Sequence, residues 1–360
     1  MPDLYQHSIE VIMAHQAASG GYLASPTFAD YRYCWFRDGA YTAYAMDLAG
    51  CHESAHRFHD WCARVVNRRQ AAVERAIAKA KRGEALSESD YLHTRYTLDG
   101  HESDDETWPN FQLDGLGTWL WALVQHAQLA GLEALPLTWR EATLLTARYL
   151  AALWQHPCFD CWEEFGDRVH PYTLATIYGG LRALTSLGLE GEWRSVPPLI
   201  RAHVLERGVH NGWLVKSIGN PAVDASLIGV ATPYRLLAID DPLMQATVTR
   251  IETELRREGG GVHRYATDTY YGGGEWVLLT AWLGWYYAEM GEIEKAREML
   301  AWVEAQADAQ GNLPEQVPRT LTAPRYLEIW RQQRGEIANP LLWSHAKYII
   351  LWHFLHLPGS

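Results

Sequence analysis

The feature that most constrains this chain is a helical hydrophobic period that recurs from end to end, with strand-like alternation scarce between. Segments with this period lie near 3–18, 39–49, 53–82, 113–130, 137–154, 172–187, 192–207, 224–232, 242–257, 276–290, 293–309 and 342–356. Each has an apolar face that must be buried against another element. The connections alternate between short turns and long loops. The long ones, 98–112, 157–171, 258–275 and 310–341, are rich in Gly, Pro, Asp and Trp. This pattern predicts an all-α fold, a closed ring of helical hairpins with a concave face where the long loops converge. No fixed-period repeat and no Pro/Gly/Ser linker divides the 360 residues, so one domain over 1–360 is expected. The Ala- and charge-rich run from Arg68 to Asp90 reads as a solvated helix extension followed by a loop.

Composition narrows the function. Hydrophobic residues make up 48% and charged residues 21%, as in an ordinary soluble globular protein. A net charge of −12 argues against nucleic-acid binding, which needs a basic surface to meet phosphates. The N-terminus has no basic start followed by an apolar core, and no apolar run is long enough to span a membrane. Five cysteines, Cys34, Cys51, Cys62, Cys158 and Cys161, form an odd and sparse set that suggests reduced thiols in a cytoplasmic protein. The chain holds 17 Trp and 19 Tyr against only 7 Phe. Trp and Tyr offer a flat apolar face with a polar edge, which matches the C–H faces and hydroxyl rims of sugars. Any single one of these rings is still more often core than cleft.

Two loops place carboxyls beside aromatics or a tight turn. One is Asp160-Cys161-Trp162-Glu163-Glu164-Phe165-Gly166-Asp167; the other is Gly311-Asn312-Leu313-Pro314-Glu315-Gln316. Glycoside hydrolysis needs one protonated and one ionised carboxyl flanking the scissile bond. A carboxyl packed against Trp loses hydration and keeps its proton more readily, which suits Glu163 beside Trp162 as an acid. A third stretch, Tyr31-Arg32-Tyr33-Cys34-Trp35-Phe36-Arg37-Asp38, ends in adjacent donor and acceptor side chains before a helix, suited either to sugar hydroxyls or to a structural ion pair. A fourth runs from Gly259-Gly260-Gly261 through Arg264 to Gly272-Gly273-Gly274-Glu275-Trp276. It lacks the Lys-Ser/Thr ending of a phosphate-binding loop.

Three other patterns are weaker. His52-Glu53-Ser54-Ala55-His56 matches the HExxH zinc pattern in letters, but it stands in a polar, surface-like context at a helix start. Cys158 and Cys161 form a CxxC with no second pair. Asp104-Asp105-Glu106 is an acidic cluster without a second motif of its type. No metal and no cofactor is expected from any of them.

The ordered motifs together resemble the glucoamylase family, glycoside hydrolase family fifteen. Tyr31 to Asp38 is similar to its Y-x-Y-x-W-x-R-D motif, DCWEE at 160–164 to its general-acid motif, and the segment 264–276, LPEQ at 313–316 and PLLWSHAKY at 340–348 follow in the family's order. GHESDDETWPNFQLDGLG at 100–117 resembles its bacterial members. The resemblance implies a six-hairpin (α/α)6 barrel and hydrolysis with inversion, releasing β-glucose. It implies Glu163 as general acid and Glu315 as general base, with the carboxyls roughly 6.5–9.5 Å apart. It implies Arg37 and Asp38 as the grip on the terminal glucose, Glu164 as a contact in the next subsite, and Tyr31, Trp35, Trp108, Trp162, Arg264 and Trp276 as lining. The barrel segments begin almost at residue 1, so no N-terminal β-sandwich and no carbohydrate-binding module is expected. That architecture favours short glucose-containing oligosaccharides, isomaltose and isomalto-oligosaccharides foremost. Maltose-type α-1,4 activity and trehalase activity are the alternatives within the family. A sugar epimerase working through His263 or His345, and a non-catalytic saccharide-binding protein, are the alternatives outside it.

Overall fold

The computed structural model describes residues 3–103 and 107–357. The acidic cluster Asp104-Asp105-Glu106 lies outside the described residues. In chain order the helices are α1 (Leu4–Ala14), α2 (Phe36–Leu48), α3 (His52–Arg68), α4 (Gln70–Arg82), α5 (Asp114–Leu129), α6 (Leu137–Leu153) and α7 (Pro171–Ala183). They continue with α8 (Val196–Arg207), α9 (Pro242–Leu255), α10 (Val277–Glu289), α11 (Ile293–Glu304), α12 (Arg325–Arg334) and α13 (Leu342–His356).

Six elements close an inner ring: α2 packs on α5, α5 on α7, α7 on the 3-10 helix Ala225–Val230, that helix on α10, α10 on α13, and α13 on α2. An outer layer of α1, α3, α6, α8, α9 and α11 backs it. This is the (α/α)6 barrel. The sequence of each helix shows why it sits where it does. α10 reads VLLTAWLGWYYAE and is buried from Val277 through Tyr287, so it is apolar all round and has to lie inside. α3 buries Phe58, Trp61, Val65 and Val66 while Glu53 is exposed, so it needs one dry face only. Close approach within the ring is set by small residues. A Cβ at Gly117 of α5 would stand 2.5 Å from the Thr176 carbonyl carbon of α7, and one at Gly180 would stand 2.4 Å from the Gly117 oxygen.

Three expectations need correction. The helix read over 53–82 is two, broken at Arg69 so that α4 turns onto α6; no Gly or Pro marks the break. The inner segment at 224–232 is a 3-10 helix. The stretch 310–341, read as loop, contains α12, whose charged sequence buries no residue fully and so carries no clear apolar stripe. Short two-residue antiparallel pairs also occur, among them Cys34–Trp35 with Arg95–Tyr96 and Glu275–Trp276 with Gln316–Val317.

The ring has two distinct ends. Arg37 and Asp38 in the first turn of α2, Asp114 at the start of α5, Trp276 just before α10 and Trp343 in the first turn of α13 meet at one of them. The positive ends of these helix dipoles therefore point into the same space, which favours carboxylates there.

Candidate active site

That space is a cavity of about 250 Å³. Every residue that the family resemblance assigns to the site lines it: Glu163, Glu315, Tyr31, Trp35, Arg37, Asp38, Trp108, Trp162, Glu164, Arg264 and Trp276; His263 and His345 do not. Residues almost 300 positions apart in the chain meet because the ring closes. The sequence reading missed Tyr270, Trp330, Arg334 and Trp343 as lining residues. Tyr270 and Trp343 stand inside motifs that it had noted, whereas Trp330 and Arg334 lie on the unforeseen α12.

The loop that carries Glu163 is held by a buried acidic side chain. Asp160 Oδ1 accepts the backbone N–H of Trp162 at 3.0 Å and of Glu164 at 2.9 Å. Asp160 Oδ2 accepts from Lys216 Nζ at 2.9 Å, and the same ammonium donates to Asp224 at 2.6 Å. Asp224 in turn accepts the indole N–H of Trp162 at 3.0 Å. Burial raises the Asp160 carboxyl, but Lys216 beside it outweighs that and holds it below the usual range. The result is a tight turn in which Glu163 has φ +69° and Phe165 φ +53°. Such left-handed backbone is unfavourable for a non-glycine residue and persists only where its surroundings fix it.

Glu163 Oε1 accepts the indole N–H of Trp35 at 2.7 Å and the Gln112 amide at 3.2 Å. Arg37 approaches the same oxygen at 3.9 Å. Glu315 lines the same cavity. Its backbone N–H bonds Ala338 O at 2.9 Å and its carbonyl accepts from Val277 at 3.2 Å, so α10 and the short strand after it fix the main chain. Its Oε1 accepts the Tyr31 hydroxyl at 2.8 Å, and Tyr31 shares a 2.9 Å bond with the Tyr270 hydroxyl. Among the described residues, nothing hydrogen-bonds to the buried Glu315 Oε2.

Burial raises the pKa of both carboxyls. At Glu163, desolvation is opposed by Arg37, Trp35 and Gln112. At Glu315, desolvation is opposed by the Tyr31 hydroxyl and Arg264, and the carboxyl still reaches about 8. The expected desolvation at Glu163 is present, but the Trp162 indole N–H is turned to Asp224. The larger consequence falls on Glu315, whose carboxyl burial pushes up to about 8.

The remaining polar groups form two forks. Arg37 donates to Gln112 at 3.0 Å and to Asp114 at 3.1 Å, and lies 3.3 Å from Asp38. Burial lifts the Asp38 carboxyl to about 6 against the pull of Arg37. Arg264 makes a two-point pair with Asp268, one bond at 2.8 Å, and reaches Glu164 at 3.5 Å. Its guanidinium lies over Trp276 at 5.0 Å and Tyr270 at 5.2 Å. Trp108 is braced by Arg95, whose guanidinium stacks 3.4 Å from the ring centre. A pair of carboxyls, forked guanidinium groups and several indole faces in one concave site can bind a pyranose, exchange protons with it and shield it from bulk water.

Comparison with known proteins agrees with this chemistry. Residues 2–353 match the family model for glycosyl hydrolases family 15. The chain is 43% identical over 356 residues to an isomaltose glucohydrolase from Kribbella flavida, spanning 97% of this chain and 91% of that protein. A solved wild-type glycosidase superposes with a TM-score of 0.93 at 42% identity, covering 98% of this chain and 96% of that one. A bacterial glucoamylase complexed with acarbose shares the fold, with a TM-score of 0.73 at 19% identity over 98% of this chain and 55% of that one.

Proposed function

The chain belongs to the glycosyl hydrolases family 15, and on that premise we propose that it is an inverting, exo-acting α-glucosidase that releases β-glucose from the non-reducing end of short α-glucosides, isomaltose foremost. The observation that carries the reading is the placing of Glu163 and Glu315 on one enclosed aromatic cavity beside Arg37 and Asp38. The preference for isomaltose is supported by the high identity to the Kribbella flavida protein over nearly the whole of both chains.

The mechanism is a single displacement. Arg37 and Asp38 hold the hydroxyls of the terminal glucose, and indole faces cover its apolar side. Glu163 gives its proton to the glycosidic oxygen as the C1–O bond breaks. A water hydrogen-bonded to the unpartnered Glu315 Oε2 attacks C1 from the other face and passes its proton to Glu315. A donor at Oε2, added to Tyr31 at Oε1, stabilises the ionised form and lowers the Glu315 pKa. Glu164 and Arg264 bind the leaving sugar.

Proton NMR of the reaction on isomaltose, maltose, nigerose, trehalose and dextran tests linkage and stereochemistry together. Isomaltose is expected to be cleaved fastest, with β-glucose appearing first. Initial α-glucose excludes inversion. Cleavage of trehalose alone replaces the substrate assignment, and an isomerised sugar with no free glucose replaces the reaction itself.

A further inference from the structure

At the opposite end of the ring lies a cluster that hydrolysis does not use. Asp47 in the last turn of α2, His126 in the last turn of α5 and His59 on α3 each offer a ligand atom, and these atoms lie within 4.8 Å of one another. The cluster is roughly 15 Å along α2 from Arg37, at a rise of ~1.5 Å per residue. All three side chains are buried: Asp47 is 3% exposed, and His59 and His126 are fully enclosed. His126 Nδ1 meets Asp47 at 2.9 Å, and His126 Nε2 faces His56 Nδ1 at 3.4 Å. Asp47 also takes His52 Nδ1 at 2.8 Å.

His59 is the telling residue. Among the described residues, neither of its ring nitrogens has a hydrogen-bond partner, although both are buried. Its ring lies 5.0 Å from that of His126 and 5.6 Å from Trp139. An interior position that only needed filling would be served better by Leu or Phe, because two unsatisfied ring nitrogens forfeit hydration for nothing in return. A metal ion removes that deficit.

We propose that Asp47, His59 and His126 form a buried structural site for a divalent first-row transition metal, zinc foremost. Two nitrogens and one carboxylate oxygen are the ligand set of a borderline cation. The field has the right sign: α2 and α5 direct their negative C-terminal ends at the cluster, which favours a cation. Trp139 roofs it, stacking 4.5 Å from His56 and anchored to Asp60 by its indole N–H at 2.6 Å. The half-exposed His52 and His56 give an ion a path in from the surface. The metal would pin the α2–α3 turn to α5. The HExxH letters at 52–56 thus mark the neighbourhood of a site without being its ligand pair; the core ligands come from three helix segments.

The test uses the full chain without a histidine tag, dialysed against zinc chloride, with bound metal counted by mass spectrometry and unfolding followed by heating. One equivalent of zinc is expected, with Tm raised by several degrees and returned by chelator. His59→Phe should weaken zinc binding by more than the ~10–100-fold that loss of an outer-sphere partner costs. It should abolish the Tm response while leaving hydrolysis of isomaltose intact. Wild type that binds no zinc, or binds it equally in His59→Phe, overturns the site. If the variant does not fold, cobalt loading of wild type decides: an intense visible band from a tetrahedral nitrogen–oxygen site supports the proposal, and its absence overturns it.

Discussion

Tyr31→Phe isolates the electrostatics of the proposed base. The Tyr31 hydroxyl donates to Glu315 Oε1 at 2.8 Å and is the strongest influence lowering a pKa that burial lifts to about 8. A hydrogen bond to a charged group contributes ~1.5–3 kcal/mol. At ~1.36 kcal/mol per pKa unit, its loss raises Glu315 by about 1–2 units. A base acts only when ionised, so activity appears as pH rises through its pKa. The acidic limb of kcat/KM should therefore move upward by about 1–2 units. At any fixed pH on that limb, the ionised fraction and hence kcat/KM should fall ~10–100-fold. The assay is initial-rate release of glucose from isomaltose across the pH range for both proteins, with folding checked by circular dichroism. A loss of one constant factor at every pH, with the acidic limb unmoved, would refute the argument, because Tyr31 would then act without changing the ionisation of Glu315.

Further outcomes follow from the same structure. Glu163→Gln and Glu315→Gln should each lower kcat by ~10²–10⁴-fold or more while isomaltose still binds by calorimetry; near-normal turnover in either removes that residue from the chemistry. Trp35→Phe deletes a 2.7 Å donor to Glu163, so the acid should keep its proton to higher pH and the alkaline limb should shift upward. Lys216→Met leaves Asp160 and Asp224 buried without their shared cation and should cost about 3–5 kcal/mol in urea unfolding. Because Asp160 is held below its ordinary range, its contribution to stability in wild type is present above the unfolded-state pKa and is lost as pH falls toward the folded one. Gly117→Ala forces a methyl to within 2.5 Å of the α7 backbone and should destabilise by ~1–3 kcal/mol, read as a lower Tm; an unchanged Tm would show that α5 and α7 can separate freely.

The sequence by itself determined the all-α class, the positions of most helices and part of the membership of the cavity. Helical period is a local property, and the residues that line the site sit in short ordered motifs around loops, where composition departs from core filling. No single stretch assigned a role to Glu163 or to Arg37 and Asp38; the order of the motifs, and the family resemblance that the order carries, did so. What only the tertiary structure decided depends on groups far apart in the chain. The meeting of Tyr31 with Glu315, the burial that lifts Glu315, the Lys216 anchor of the Glu163 turn, and the α12 residues Trp330 and Arg334 in the lining leave no local periodic trace. The same holds at the far end of the ring. The letters HExxH read as incidental because they stand in a polar, surface-like context at a helix start. The ring brings Asp47 and His126 to His59, and only that closure leaves a buried imidazole whose two nitrogens lack partners. Desolvation and hydrogen-bond satisfaction are properties of an enclosed volume, and a linear sequence does not state which residues enclose it.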